Sequence, residues 1–440
     1  MQAFLNMRSS ASHADSDFRP KSWREKILRM YPNGSVSLTA LTALMPSSMV
    51  TDPQFHWFEK GLPPQAATVT AVKSDQAGTN YVSGGVAGQV LYITATEETT
   101  GVSEFRQGHQ VLLRDSSNLT VDVNAKVLSV TKNGTTSTIA VKLLEADDNG
   151  VGNDLSDCDR ILIIGNINPE GSQMPDSIAY DPDKKYNYTQ IFRTSLSLTR
   201  TRMRTKVRYG SSAYQEAKRD CLERHGIEME KAFLWGIMTE FTGENGQPER
   251  TTGGVCSFVP PENRSDYRTD SDFDGFTWMQ AGGEWLNKWL EVCFRYGSKN
   301  RTAYVGSGTM LALNKYVEQR GQFQFTPKTV SYGIKIMEWV TPFGSIDMYI
   351  HPLFSFEPSN RYSMLLFDPA NIRYNYIDDT YFQADSSLKE GSWVNIDGIK
   401  EGFLTECGLE VHHASTLMLL NGFGYDSSRG GYTYLSTRTE

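Results

Sequence analysis

A basic segment without a single acidic residue extends from residue 184 to residue 215 and restricts how this part of the chain can fold. Its eight cationic residues are Lys184, Lys185, Arg193, Arg200, Arg202, Arg204, Lys206 and Arg208. After Thr199 the charges alternate with Thr, Met and Val, and this period of two is typical of a β-strand. We therefore expect a strand with five charges on one face: Arg200, Arg202, Arg204, Lys206 and Arg208. The side chains on the opposite face are too small to pack against a hydrophobic core, so we expect the strand to extend away from the body of the protein.

The basic segment contrasts with the acidic balance of the whole chain. The 440 residues contain 43 Lys and Arg against 51 Asp and Glu, a net charge of −8. Coating of nucleic acid by charge requires a broad basic face, which this balance argues against. Like charges in one segment repel each other unless an acidic surface is near. The segment is therefore either a solvated strand face or a surface that binds an acidic partner.

The residues from 65 to 165 form short β-branched runs separated by Gly, Asn and Asp. The Asn133-Gly134 pair lies between two alternating runs, which is a strong hairpin signal. This region contains twelve acidic and seven basic residues, so nucleic acid is not its expected ligand. The pattern predicts a separate all-β domain over residues 65–175.

The C-terminal half alternates between helical and strand patterns, which predicts a mixed α+β fold. Residues 212–241 read as one long amphipathic helix, with Ser212 and Gln215 as a capping box and Gly243 as the stop. A second amphipathic helix begins near Trp278 and ends at Gly297. Further on, a buried strand leads into a helix that begins at Ser307 or Gly308, and a hairpin turns at residues 341–344.

Residues that carry catalytic or ligand-binding chemistry form no recognisable motif. The chain has no Walker-type phosphate loop and no G-x-S-x-G nucleophile elbow. His412 and His413 are neighbours, so a strand would point them to opposite faces and away from a common metal ion. The scattered cysteines predict reduced, mostly buried thiols: Cys158, Cys221, Cys256, Cys293 and Cys407. We expect no catalytic residue, no metal and no cofactor, and hence a structural protein rather than an enzyme.

Three stretches carry a family resemblance: "VTDPQFHWFEKGLP", "YNYTQIFRTSLSLTRTRMRTKVRYG" and "WVTPFGSIDMYIHPLF". In this order, and with a polar arm before them and a long helix after the second, the chain resembles the major capsid proteins of tailed bacteriophages, which have the Hong Kong 97-like fold. The resemblance covers most of the chain outside the β domain. It implies a shell protein that assembles into hexamers and pentamers of an icosahedral head enclosing double-stranded DNA.

The resemblance also implies a division of the chain into parts named as in that family. These are an N-terminal arm (1–54), an extended E-loop hairpin (55–64 and 176–210), the inserted all-β domain (65–175), a peripheral domain with a spine helix (211–274 and 351–440) and an axial domain (275–350). The basic residues of the E-loop become candidates for contacts between subunits: Arg193, Arg200, Arg202, Arg204, Lys206 and Arg208. Because this segment is mostly Arg, we expect no cross-linking through an E-loop Lys.

The partners that the resemblance implies are further copies of the chain, a portal, separate scaffolding and decoration proteins, and packaged DNA contacted without sequence specificity. The N-terminal residues lack the apolar core of a secretory signal, and no apolar run approaches the ~20 residues of a membrane span. We therefore expect synthesis in the cytoplasm of the bacterial host, no membrane partner, and a final location in the virion. Two alternatives remain: another virion protein, such as a tail or adhesion component, and a hydrolase with its site in the α/β half.

Overall fold

The computed structural model of the chain describes residues 45–61, 63, 65–97, 103–118, 122–147, 154–175, 177–205, 212–320, 325–330, 334–384 and 398–426. Most of the predicted N-terminal arm lies outside these residues. The chain folds as two compact units, of which residues 60–183 form one and the residues on either side of them form the other. The first strands of the flanking unit are β1 (Ser47–Met49) and β2 (Gln54–Glu59).

Residues 60–183 contain a closed barrel of six antiparallel strands. The strands are β3 (Ala66–Lys73), β4 (Val90–Thr96), β5 (His109–Arg114), β6 (Asp122–Asn133), β7 (Thr136–Leu143) and β8 (Arg160–Asn166), in the order β3-β4-β7-β6-β5-β8 around the barrel. Alternate residues point inward, as in β4, where Leu91, Ile93 and Ala95 are fully buried. The predicted hairpin at Asn133-Gly134 is confirmed, since Asn133 pairs with Thr136 and Gly134 adopts a positive φ of 63°.

A four-stranded sheet forms the first layer of the flanking unit. After β9 (Asp183–Tyr188), which pairs with β2, the chain continues into β10 (Gln190–Thr199). The sheet has the order β1-β19-β20-β10, in which β19 is Ile372–Gln383 and β20 is Gly398–Val411. The short helix α1 (Arg200–Arg204) and the long helix α2 (Ala213–Trp235) follow β10, and α2 packs on β10 and β20.

The long helix begins where the sequence predicts, with Ser212 as its N-cap, but the prediction that it continues to Phe241 is wrong. It ends at Trp235 after 23 residues, a length of about 35 Å. The chain turns at Gly236, where a side chain would lie 2.4 Å from the carbonyl oxygen of Ala232 and 2.5 Å from that of Thr252. Only glycine tolerates this close approach of backbone, so the helix stops seven residues before the predicted Gly243.

The rest of the flanking unit is built on a seven-stranded mixed sheet. The elements in chain order are β11 (Thr239–Thr242), β12 (Pro248–Thr251), α3 (Val255–Phe258), β13 (Arg264–Asp266), α4 (Trp278–Phe294), β14 (Asn300–Val305), α5 (Ser307–Arg320), β15 (Phe325–Val330), β16 (Ile334–Val340), β17 (Ser345–Ile350), α6 (Pro352–Phe356), β18 (Met364–Phe367) and β21 (Met418–Asn421). The sheet order is β13-β21-β18-β14-β17-β16-β15, and β11 pairs with β12 in a separate hairpin. The predicted strand leading into α5 at Ser307 and the hairpin turning at residues 341–344 are both confirmed.

Helices α4 and α5 cover this sheet with large apolar side chains. Trp278, Trp285 and Leu290 of α4 are buried, and they share one core with Ala303 and Leu366 of the sheet. At the start of α4, Thr277 N donates a hydrogen bond to Gln280 Oε1 at 2.9 Å, which fixes where the helix begins. The helix is amphipathic as predicted, and the described fold as a whole is a mixture of helices with mostly antiparallel sheets.

Candidate inter-subunit surface

Strand β10 presents Arg193 on the exposed face of the four-stranded sheet. Its residues alternate as predicted, so that Phe192, Thr194 and Leu196 are buried while Arg193 is exposed. The Arg193 guanidinium donates a hydrogen bond to Gln383 Oε1 of β19 at 3.1 Å, across the intervening strand β20. A surface cavity of about 490 Å³ lies beside these two residues, and Lys400 contributes a second cation to its wall.

Helix α1 holds three further candidates close together at the end of β10. Thr199 is its N-cap, and its Oγ1 accepts a hydrogen bond from Arg202 N at 3.3 Å. At the other end Thr205 N and Oγ1 both donate to Thr201 O, at 2.9 and 2.7 Å. No residue of α1 is buried, and it exposes three guanidinium groups: Arg200, Arg202 and Arg204. We call Arg200–Arg204 the basic end.

The prediction that these arginines share one face of a strand is wrong. The ladder between β10 and β20 ends at Thr199 and Gly398, and from Arg200 the backbone is helical. Thr is a good N-cap and Arg and Met are good helix formers, so the sequence can turn into a helix as soon as the pairing stops. In a helix Arg200 and Arg204 lie on one side and Arg202 on the other. The predicted candidates Lys206 and Arg208 lie outside the described residues.

The structure therefore brings together only some of the basic residues predicted as inter-subunit contacts. Arg200, Arg202 and Arg204 lie together, whereas Arg193 is seven residues back along an extended strand, about 23 Å from the start of α1. The basic residues thus form a cluster at the strand end and a separate cation in the middle of the sheet. This arrangement suits contacts with two places on a partner better than it suits one continuous charged stripe.

Helix α2 supports the strand that carries these cations. Leu196 of β10, Cys221 of α2 and Phe403 of β20 form a small buried core. Beside it, the Tyr214 hydroxyl donates a hydrogen bond to Glu401 Oε2 at 2.7 Å. Burial and this carboxylate raise the pKa of Tyr214 to about 12, so the hydroxyl keeps its proton. The basic end therefore follows a strand that packs firmly against helix α2.

A buried polar network crosses the same layer, and the sequence analysis did not predict it. His225 of α2 is buried, with Nδ1 3.0 Å from Thr194 Oγ1 and Nε2 2.8 Å from Thr405 Oγ1. Thr194 Oγ1 also donates to Glu228 Oε2 at 3.1 Å. Burial lowers the pKa of His225, which favours the neutral ring. The spacing of four residues between Cys221 and His225 places both on one helical face and was the available signal.

A second buried pair joins α2 to the seven-stranded sheet. His351 Nε2 lies 2.5 Å from Glu230 Oε1, and both side chains are almost fully buried. Tyr304 packs its ring against His351 with a centroid distance of 4.8 Å, and burial raises the pKa of its hydroxyl well above the usual value. Removing either partner would leave a buried polar group without a hydrogen bond, so this contact holds the helix against the sheet.

In the part of the chain that the structure describes, no cluster of three or more His, Cys, Asp or Glu side chains is arranged to hold a metal ion. The five cysteines are all buried free thiols, and burial raises the pKa of Cys158, Cys256 and Cys407 to about 12. None of the described helices combines the length and the apolar character that crossing a bilayer requires.

Comparison with known proteins gives consistent matches. A sequence model of the family described as SU10 major capsid protein matches residues 9–424. The major capsid protein of Pseudomonas phage PaMx41 is 27% identical over 395 residues, which cover 84% of each chain. Among solved structures, the capsid of the native GTA particle aligns with a TM-score of 0.44 at 10% identity, over 95% of this chain and 99% of the other. A structure from Mycobacterium phage Bobi aligns with a TM-score of 0.43 at 8% identity, over 92% and 96%.

These sequence matches identify the chain as a structural component of a phage capsid. The match to the family model extends over most of the chain, and the chain belongs to the SU10 major capsid protein family. This family consists of structural capsid proteins and is not a family of enzymes. As a phage major capsid protein, the chain forms part of the virion.

Proposed function

We propose that the chain assembles through a Hong Kong 97-like fold into hexamers and pentamers of an icosahedral head that encloses double-stranded DNA. The observation that carries this proposal is the family match over residues 9–424. The same match makes the two alternatives from the sequence, a tail or adhesion component and a hydrolase, much less favourable. The chain is then a structural subunit without catalytic activity.

The division of the chain into family domains is part of this proposal. An arm (1–54) precedes an E-loop built from 55–64 and 176–210, with the β domain (65–175) inserted between its sides. The pairing of β2 with β9 supports such a hairpin, because residues 60–183 leave and return at neighbouring strands. The peripheral domain would contain α2 and residues 351–440, and the axial domain would contain residues 275–350.

The basic end and Arg193 are the proposed contacts with a neighbouring subunit. Both are exposed, and the chain is acidic overall, so another copy offers complementary charge. Lys206 and Arg208 continue the same basic sequence and are included in the proposed contact. Each exposed ion pair contributes only ~0.2–1 kcal/mol, so the charges would select partner and register while repetition around the shell supplies strength.

The remaining partners follow from the proposed role. A head of this type needs a portal for DNA entry and a scaffold during assembly, and its outer surface could be bound by decoration proteins. The DNA would be contacted without sequence specificity, and the subunits would be made in the cytoplasm of the bacterial host. The arginine-rich segment offers no lysine chemistry at Arg200, Arg202 or Arg204, so the contacts proposed there are non-covalent.

Charge reversal at the basic end tests the proposed contact. In Arg202→Glu with Arg204→Glu, attraction becomes repulsion, which we estimate at about 1–4 kcal/mol per contact from exposed-pair energies. The subunit should fold, because neither side chain is buried. The yield of closed shells, counted by negative-stain electron microscopy at low salt, should fall about tenfold or more, since each 1.4 kcal/mol is a factor of ten and the penalty recurs at every contact of the shell. Higher salt should restore part of it by screening.

The matched control reverses two exposed cations elsewhere, Lys142→Glu with Arg160→Glu, on the outside of the barrel. It changes the net charge by the same amount and should leave shell yield nearly unchanged. Normal assembly of the Arg202 and Arg204 variant at low salt would show that the basic end is only a solvated surface. Tubes, fibres or small soluble species from the unaltered chain would contradict the proposed function itself.

A further inference from the structure

A two-stranded hairpin after helix α2 is unusually exposed. Strands β11 and β12 pair only with each other among the described residues, with Glu240 opposite Arg250 and Phe241 opposite Glu249. Every residue of β11 is exposed, and none of β12 is buried. A lone two-stranded hairpin is marginally stable in water. We therefore expect this exposed hairpin to be stabilised by binding to a partner. We call residues 239–251 the acidic hairpin.

The root of the acidic hairpin is fixed to the four-stranded sheet. Thr252 N donates a hydrogen bond to Gln190 Oε1 at 3.1 Å, at the start of β10. The buried Asn187 donates through Nδ2 to Gly253 O at 3.2 Å and to Leu409 O at 2.6 Å. These bonds hold the base in place while the tip, residues 243–247, is mostly exposed. The hairpin is thus presented in a defined direction.

The chemistry of the acidic hairpin favours a partner that is basic and partly apolar. Glu240 is paired with Arg250 at 3.0 Å, but the carboxylates of Glu244 and Glu249 make no ion pair or hydrogen bond with any residue that the structure describes. Phe241 shares a face with Glu249 and is 49% exposed, and Ile237 at the root is 68% exposed. An aromatic ring beside unneutralised carboxylates is well suited to bind guanidinium groups.

The basic end lies at the opposite end of the same layer. Strand β10 leads from Gln190 beside the hairpin root to Thr199 beside the basic end, about 30 Å away. Helix α2 runs the other way beside it, since Tyr214 contacts Glu401 near the basic end and Phe233 stacks edge-on with Phe192 near the hairpin. The two charged surfaces therefore cannot reach each other within one chain.

We propose that the acidic hairpin of one subunit binds the basic end of the neighbouring copy of this chain. This inference rests on the proposed assembly and names the acceptor surface for the basic end. Complementary surfaces at opposite ends of a rigid layer make a head-to-tail contact, which closes into a ring when the rotation between copies permits. Phe241 supplies the aromatic face, and Glu244 and Glu249 supply the charge, for the guanidinium groups of Arg200–Arg204.

The test reverses the charge of the acidic hairpin in the full chain and then combines both reversals. Glu244→Lys with Glu249→Lys should reduce the yield of closed shells at low salt at least tenfold, as counted by electron microscopy. Adding Arg202→Glu with Arg204→Glu in the same chain restores opposite charges across the contact. The quadruple variant should recover at least half of the unaltered yield. Circular dichroism of each unassembled variant verifies that the subunit is folded.

A matched control reverses two exposed acids on the other unit, Asp157→Lys with Glu170→Lys, and should assemble normally. The proposal is overturned if the hairpin variant assembles like the unaltered chain, or if this control loses as much yield. It is also overturned if both reversals separately abolish shells and the quadruple variant does not recover them. If the arginine variant fails while the hairpin variant assembles, only this inference is lost and the proposed function stands. Normal assembly of the Arg202 and Arg204 variant would instead show that the basic end is not an inter-subunit contact.

Discussion

Replacing the buried His225 tests how α2 is held against the strand that carries the basic end. The ring is 1% exposed and bridges two strands, with one nitrogen at Thr194 and the other at Thr405. The substitution His225→Gln removes the titrating group and keeps a polar side chain of similar length. At neutral pH we expect it to lower the free energy of unfolding by about 1–3 kcal/mol, because at least one threonine hydroxyl loses its partner.

The pH dependence gives the sharper part of this prediction. Burial lowers the pKa of His225 in the folded state, and the nearby Glu228 only partly opposes that. Below the usual value near 6.5, the unfolded chain binds a proton that the folded ring resists, so stability falls as the pH falls. The loss cannot exceed about 1.4 kcal/mol per pH unit, which limits it to roughly 2 kcal/mol between pH 6.5 and 5.0. Above pH 6.5 the contribution is fully present.

Urea unfolding of the unassembled subunit at pH 7.5 and 5.0 measures this difference. The unaltered chain should lose up to about 2 kcal/mol more than the His225→Gln variant on going to pH 5.0. A control variant, His56→Gln, removes an exposed histidine and should behave like the unaltered chain. Equal pH dependence in the His225 variant and the unaltered chain would refute the claim that burial suppresses protonation of this ring.

Three other predictions follow from described contacts. His351→Ala leaves the buried Glu230 side chain without its hydrogen-bond partner and should lower the free energy of unfolding by about 1–3 kcal/mol, measured by urea unfolding. A loss below about 0.5 kcal/mol would mean that this contact does not hold α2 to the sheet. Residues 60–183, expressed alone, should give a β-type circular dichroism spectrum and one cooperative melt, because the barrel has its own core; a disordered spectrum would contradict this. The buried thiols of Cys158, Cys256 and Cys407 should react with a disulfide reagent at pH 8 only after unfolding, since burial raises their pKa and makes them inaccessible. Rapid labelling of these thiols in the native subunit would contradict this prediction.

Several elements were predictable because local pattern and tertiary packing agree. In the barrel the alternation of apolar residues matches the inward positions, and the turn at Gly134 has the positive φ that its type requires. In α4 the tryptophans recur at helical spacing and are buried as expected. The start of α2 at Ser212 was readable for a similar reason, since the cap is a local signal.

Other features depend on contacts that are distant in sequence. The alternating Arg and Thr of Arg200–Arg204 read as a strand, but the chain becomes helical where its partner strand begins at Gly398. The end of α2 is set by the carbonyl of Thr252, which no pattern near Gly236 reveals. The acidic hairpin was missed because residues 239–242 continue a helical pattern. The inter-subunit roles of the arginines were predicted from sequence and still rest on charge and exposure.

The decisive measurement of assembly is cryo-electron microscopy of particles formed by the purified full chain. We expect closed icosahedral shells with five-fold and six-fold capsomers, in which Arg200–Arg204 of each subunit lies against the acidic hairpin of the next. Tubes, fibres or isolated subunits would contradict assembly into a head. Closed shells in which Arg200–Arg204 faces solvent at every subunit would contradict the assignment of the basic end as a subunit contact.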